Sequence, residues 1–439
     1  MSDFLFARSQ MAMSLAFHIV FAALGIGMPL LMVMAEGAHL RTGKPVYLEL
    51  GKRWAKGTAI LFAVGAVSGT VLSFELGLLW PGFMEKAGAI VGMPFSLEGF
   101  AFFAEAIFIG VFLYGRSRLP PLLHWLAGVA VAVSGILSGI FVVTANAWMN
   151  APAGFKVVHG RFIAIDPVAA MLNKASFHEV LHMTLAAFVA TGFAVAAVHA
   201  FFLLRRPSSL FHRSGLRLAL AVACVSIPLQ ILSGDLSARA VARLQPVKLA
   251  AMEALYRTRR GAPLLLGGVP NDATQTTDHA LVIPHGLSLL IADDPEATVS
   301  GLDGVPRGNW PDVRMVHWSF DLMVVSGFAM LAMAGWSGWI WLRRSAWADH
   351  PWLLRALVTS GPLGFVAIEA GWVVTEVGRQ PWIIYNVMRT KDAVTPMPGI
   401  AVPFLAFTLL YVFLAGVVCG LLRRLFLETP GAASGSSSE

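Results

Sequence analysis

The chain has 439 residues, 57% of them hydrophobic and only 13% charged, about half the charged share of an ordinary soluble domain, which excludes a soluble enzyme. Its formal charge of +7 does not mark a nucleic-acid binder, because most Lys and Arg residues flank apolar runs as the loops of membrane proteins do. Cys224 and Cys419 stand apart inside apolar stretches, which excludes a disulfide framework and covalently attached c-type haem.

Runs long enough to cross a bilayer, about 20 residues each, fall at 11–35, 57–81, 96–115, 121–145, 177–204, 215–233, 316–341, 353–376 and 400–422. They predict an all-α integral membrane protein of about nine transmembrane helices, bathed in membrane lipid. Helices 1–6 occupy residues 1–233, a polar loop 234–314, helices 7–9 residues 315–424, and a disordered-looking Gly/Ser tail 425–439. The first run contains His18 and is too long for a cleaved signal peptide. Basic residues follow helix 1 (Arg41, Lys44, Lys52, Arg53, Lys56), helix 3 (Arg116, Arg118), helix 5 (Arg205, Arg206, Arg213), helix 7 (Arg343, Arg344) and helix 9 (Arg423, Arg424). By the positive-inside rule these ends are cytoplasmic, so the N-terminus and the long loop between helices 6 and 7 are periplasmic and the C-terminus is cytoplasmic. Within that loop, Asp235, Gln245, Lys248 and Glu253 spaced among Leu and Ala predict amphipathic helix, whereas 261–312 is richer in Gly, Pro and Asp.

An ionisable side chain inside a span is costly and marks function by default. Such residues here are His18, Glu75, Glu98, Glu105, His178, His182, Asp321, Glu369 and Glu376, with Met323 beside Asp321. On the assigned orientation Glu98, His182 and Met323 begin their helices from the outside and Glu376 ends its own. His18 lies about 10 Å below the start of helix 1 at about 1.5 Å per residue, so one outer layer is expected to gather the metal ligands. Glu98 and Glu105 are seven apart, two turns along one helical face, and Glu369 and Glu376 repeat the spacing. A buried carboxylate must be neutral, paired or bound to a cation, and with imidazole nearby the pattern points to haem or proton transfer rather than plain packing.

One motif points elsewhere. His178, Glu179 and His182 spell H-E-x-x-H, the helical pattern of zinc proteases, and Leu302-Asp303-Gly304 matches the letters of the distant aspartate segment of intramembrane members. Asp303, however, falls in the polar loop rather than in a span, which makes an intramembrane zinc metalloprotease the lesser reading.

The letters resemble subunit I of the cytochrome bd-type quinol oxidases along nearly the whole chain. Residues 371–382 are similar to that family's G-W-x-x-x-E-x-G-R-Q-P-W signature, residues 245–253 to its quinol-loop segment Q-P-x-K-L-A-A-x-E, and residues 146–149 to its N-x-W-M. Phe17-His18 and the stretch from Leu97-Glu98-Gly99 to Glu105 also fit. The resemblance implies that His182 and Met323 are axial ligands of a low-spin haem b and that Glu376 ligates a high-spin haem b. It implies that His18, with Glu98 opposite, holds the oxygen-reactive haem, a haem d or a third haem b, and that Arg379 and Arg8 neutralise haem propionates. It implies that Lys248 and Glu253 bind and deprotonate quinol, and that dioxygen is reduced to water with cytoplasmic protons, generating proton motive force. A haem-free subunit II and a small single-helix subunit are the implied partners.

Glu105, Ser138 and Asn146 are the candidates for an inward proton relay. Asp321 stands where relatives carry Arg, which alters the charge beside Met323, and Ala106 stands where some have Ser. The loop has no long insertion, so the chain resembles the short-loop type. A membrane cytochrome b that passes quinol electrons to a partner without reducing oxygen needs only His182 and Met323, and leaves His18, Glu98 and Glu376 without a role. A haem-free transporter gives no reason for the residues at 371–382.

Overall fold

The computed structural model describes residues 2–343 and 347–427. Arg344 and residues 428–439 of the C-terminal tail lie outside the described residues. Long helices follow in chain order: α1 (Asp3–Thr42), α2 (Pro45–Leu79), α3 (Pro81–Tyr114), α4 (Pro121–Asn150), α5 (Ser176–Arg205), α6 (Leu210–Leu244), the short α7 (Pro246–Met252), α8 (Val313–Arg343), α9 (Pro351–Ser360), α10 (Leu363–Val377) and α11 (Ala401–Leu427). With α9 and α10 counted as one span, nine segments among the described residues are long and apolar enough to cross a membrane.

The ends of these helices follow from local chemistry. Pro45, Pro81, Pro121 and Pro351 occupy first-turn positions, where the missing N–H has no intrahelical partner to lose. The Ser2 and Ser209 hydroxyls accept from backbone N–H groups of the first turns of α1 and α6, and Gly43, at φ 67°, closes α1 by donating to the His39 carbonyl. Gly361 and Pro362 separate α9 from α10.

Helix α5 is the hub of the bundle. A Cβ on Gly27 of α1 would meet the Thr191 hydroxyl at 2.2 Å, and one on Gly364 of α10 would meet the Ala190 backbone at 2.4 Å, so these glycines let two helices press against α5. Phe193, Leu216, Ile227, Met330 and Leu357 form the core that α5 shares with α6, α8 and α9, while Leu31, Met32, Leu50 and Leu61 join α1 to α2. Helix α11 is the least covered span, its Val402, Leu405, Leu409 and Val412 facing outward.

The helices exceed the apolar windows, and this revises several expectations. Helix α2 ends at Leu79 rather than 81, and α6 continues to Leu244, so the expected loop boundary at 234 falls inside a helix and Asp235 belongs to that helix. The expected single helix over 353–376 is the pair α9 and α10. Because α3 begins at Pro81 and α1 at Asp3, Glu98 lies about 25 Å and His18 about 22 Å along their axes from the loop-side ends. His182 and Met323 lie about 9 Å and 15 Å from theirs, and Glu376 is one residue from the end of α10. The ligand candidates therefore descend through the bundle rather than sharing one outer layer.

Beyond α7 the loop is built from short antiparallel pairs: 259–260 with 298–299, 264–266 with 281–283, and 269–271 with 276–278. Gly267 and Gly268, at φ 65° and 98°, turn the chain between the second and third pairs, a geometry that strains any other residue.

Candidate functional site

On the loop side, Asn150 at the end of α4 is buried and gathers four elements. Its Nδ2 donates to Glu179 Oε1 of α5 at 2.9 Å and to Asn146 Oδ1 at 3.1 Å. Its Oδ1 accepts from Lys248 Nζ of α7 at 3.0 Å, Gln245 Nε2 at 3.2 Å and Arg379 Nη1 at 3.3 Å. Asn146 Nδ2 donates to Glu376 Oε1, and Arg379 Nη2 to Glu376 Oε2, both at 2.6 Å. Two cationic and two carboxylate side chains thus balance around neutral amides, which is the condition for keeping charge out of water. Lys248 is 3% and Arg379 1% exposed. Burial pushes the Lys248 ammonium down from its ordinary range, with the Glu179 carboxylate opposing. A narrow cleft lined by Asn150, Ala175, His178, Glu179, Val241, Leu244 and Gln245 reaches this cluster.

Glu253, the C-cap of α7, faces the other way. Burial, with the Asp321 carboxylate nearby, pushes its carboxyl up to about 8, so it exchanges a proton near neutrality and its ionised form is a base able to accept one. No direct hydrogen bond joins Lys248 to Glu253 among the described residues; α7 presents one to the α4 cluster and the other toward α8.

Deeper in the bundle polar groups are sparse. His182 Nδ1 meets Ser233 Oγ at 2.9 Å, and Gln230 Nε2 lies 3.2 Å from Nε2. A Cβ on Gly371 would meet Met323 Sδ at 3.0 Å, and one on Gly234 the His182 ring at 3.5 Å. His18 Nδ1 meets Ser68 Oγ at 2.9 Å, with Gly69 at its ring edge. Ser138 Oγ donates weakly to Glu98 Oε1 at 3.4 Å, about 18 Å below Asn150 along α4 at about 1.5 Å per residue. Glu105 is 5% exposed and its Oε1 has no partner. Arg8 lies 5.6 Å over the Phe4 ring.

Glu75, whose Oε1 accepts from Gln10 and Ser14, leaves Oε2 without a partner, as do both ring nitrogens of His178. Of the relay candidates, Ser138 is with Glu98, Asn146 is with Glu376, and Glu105 stands apart from both. These orphaned polar atoms, and the glycines against His18 and Met323 where a Cβ would crowd the side chain at 3.0 Å, suit planar prosthetic groups set between helices that offer soft and imidazole donors.

The zinc-protease reading fails. The Asp303 carboxylate is engaged with the Thr258 N–H and hydroxyl at 2.8 and 2.7 Å, Glu179 is held by Asn150, and no cluster of three His, Cys, Asp or Glu side chains fit for a metal ion occurs among the described residues.

Asn150 was not singled out from the sequence, because an Asn at a helix end reads as an ordinary cap. Its position one turn after Asn146, on the same face, was the available signal. The pair His317 and Asp321, also one turn apart, likewise went unread.

The family model described as cytochrome bd terminal oxidase subunit I matches residues 6–430. The chain is 37% identical over 435 residues to the putative cytochrome bd menaquinol oxidase subunit I of Bacillus subtilis (strain 168), covering 98% of each. It is 31% identical over 441 residues to the cytochrome bd ubiquinol oxidase subunit 1 of the same organism, covering 97% of this chain and 93% of the relative. The solved structure of bd oxidase from Geobacillus thermodenitrificans superposes with a TM-score of 0.91 at 36% identity, over 97% of this chain and 98% of that one.

Proposed function

The chain belongs to the cytochrome bd terminal oxidase subunit I family, and on that premise we propose how its residues divide the work of a quinol:oxygen oxidoreductase. As a multi-pass protein of the bacterial inner membrane it carries haem, assembles with subunit II, oxidises quinol and reduces dioxygen. His182 and Met323 hold a low-spin haem b, Glu376 a high-spin haem b, and His18 with Glu98 the oxygen-reactive haem, a haem d or a third haem b. When bound, the haems supply an electron relay and an oxygen-binding iron. A small single-helix subunit completes the assembly.

Everything else is the work of the chain itself. Lys248 and Gln245 orient a quinol oxygen beside the Asn150 cluster, and Glu253 accepts a quinol proton as the quinol is oxidised. Arg379 holds the Glu376 carboxylate and meets propionate charge, with Arg8 in the same role elsewhere. The observation that carries this reading is the convergence on Asn150, where the loop residue Lys248 shares one amide oxygen with Arg379 of the ligand-bearing segment.

The loop side faces the periplasm, with the N-terminus there and the C-terminus in the cytoplasm. Protons from quinol leave on the loop side, while those consumed with oxygen rise from the opposite face past Glu105 toward Glu98 and Ser138. Net charge therefore crosses the membrane without a pump. The test is the purified complex in sealed liposomes, fed short-chain quinol and oxygen. External acidification with an uncoupler-sensitive membrane potential is expected when the loop side faces out. Oxygen consumption with no potential overturns the proton scheme.

A further inference from the structure

The loop-side end of α8 carries a polar face that the proposed catalytic scheme does not use. Arg314, His317, Trp318 and Asp321 lie at spacings of three, four and seven residues, one face of a helix, and all four touch the loop. Arg314 Nη2 donates to the Pro270 carbonyl at 3.4 Å and Trp318 Nε1 to the Gly268 carbonyl at 2.8 Å. Asp321 Oδ2 accepts from the Gly267 N–H at 2.9 Å.

His317 is the centre of this face and is fully buried. Its Nδ1 lies 2.7 Å from the Met252 carbonyl and its Nε2 3.0 Å from the Gly267 carbonyl. A carbonyl oxygen only accepts, so the ring is set between two acceptors, one on each side of the loop. The Asp321 carboxylate lies 3.5 Å from Nε2, a third acceptor beside the same ring. Met252 directly precedes Glu253, so the histidine grips the peptide from which the Glu253 carboxyl projects. The turn at Gly267 and Gly268 offers its N–H and both carbonyls to the same helix face, which ties the far side of the loop to the same point.

We infer that His317 and Asp321 are positioning residues for quinol oxidation, a hydrogen-bonding pair that clamps the Met252–Glu253 turn and the Gly267–Gly268 hairpin to α8 and so sets where Glu253 meets quinol. This rests on the assignment of Glu253 to quinol oxidation proposed above. The pair acts as a unit: Asp321 holds the Gly267 N–H while His317 holds the Gly267 carbonyl and, on its other side, the Met252 carbonyl.

The test uses the assembled, purified oxidase with Asp321→Asn, His317→Gln, the double variant, and Glu253→Gln in the same assay, read as quinol KM and kcat and as the reduced haem spectrum. Loss of a charge-assisted hydrogen bond is expected to raise quinol KM about tenfold in each single variant, with the haem spectrum of the parent. The double variant should be no worse than the worse single one, because the members share one interaction. Singles with KM within about twofold of the parent, or effects that multiply in the double variant, overturn the clamp. Glu253→Gln separates the two levels. If it behaves as the parent, the quinol-site reading falls and the clamp falls with it. If it is impaired while the clamp variants are not, only the clamp falls. Should Asp321→Asn fail to assemble, Trp318→Phe removes only the N–H held by Gly268, and an unchanged KM there overturns the clamp.

Discussion

Around Asn150 charged groups pair across α4, α5, α7 and the segment after α10, with Arg379 Nε left over, whereas Glu105, deep in the bundle, and Glu75, near the loop-side end of α2, leave carboxylate oxygens without partners. The same residue types occur in both regions, and their surroundings differ. A largely paired network fixes geometry, which suits a place where quinol must be oriented. An unsatisfied buried carboxyl costs about 1–3 kcal/mol and is retained where a bound group or a moving proton completes it.

The contrast is broken most severely at the proposed haem ligands. His182→Ala should abolish the low-spin haem component of the reduced-minus-oxidised spectrum and reduce quinol-driven oxygen uptake to background; a retained component would remove His182 from the ligand set. Next comes Glu105→Gln, expected to slow oxygen reduction about 10²-fold as a lost proton donor does, with quinol oxidation by an artificial acceptor spared. Unchanged oxygen turnover would take Glu105 out of the proton route.

A smaller effect is expected in the paired region around Asn150. Asn150→Ala leaves Lys248, Gln245 and Arg379 short of an acceptor, at about 1–3 kcal/mol for a buried group, so quinol kcat/KM should fall about tenfold while haem content is kept. An unaltered kcat/KM would show that the web is packing alone.

A separate effect, on stability rather than turnover, appears against pH. Burial raises the Glu253 carboxyl to about 8 from an ordinary 4.5. The folded protein therefore holds a proton that the unfolded chain has already released, and stability falls as pH rises from about 4.5 to about 8. Glu253→Gln removes this loss, so its melting temperature should exceed that of the parent at pH 8.5 and match it at pH 4.5. A difference independent of pH would contradict the assignment.

The candidate ligands were legible in the sequence, and their depth was not. His18, Glu98, His182, Met323 and Glu376 stood out because ionisable and soft side chains are conspicuous in apolar runs. Their levels were misjudged because hydropathy marks only the apolar part of a helix. The segment from Pro81 to Phe95 carries Glu85 and Lys86 and still continues α3 toward the loop side, which moves Glu98 well into the bundle. Asn150, Gln245 and the His317–Asp321 pair act through partners distant in the chain, and no local pattern announces a hydrogen bond between residues 95 or 98 positions apart.

The central claim is that this chain houses a low-spin haem and an oxygen-reactive site together. The most direct measurement is the reduced-minus-oxidised spectrum of the purified complex, with and without carbon monoxide, paired with extraction and identification of its haems. A low-spin haem b accompanied by two high-spin haems, one of them shifted by carbon monoxide, is the predicted result. A single low-spin haem with no response to carbon monoxide would contradict it and leave an electron-transfer cytochrome in place of an oxidase.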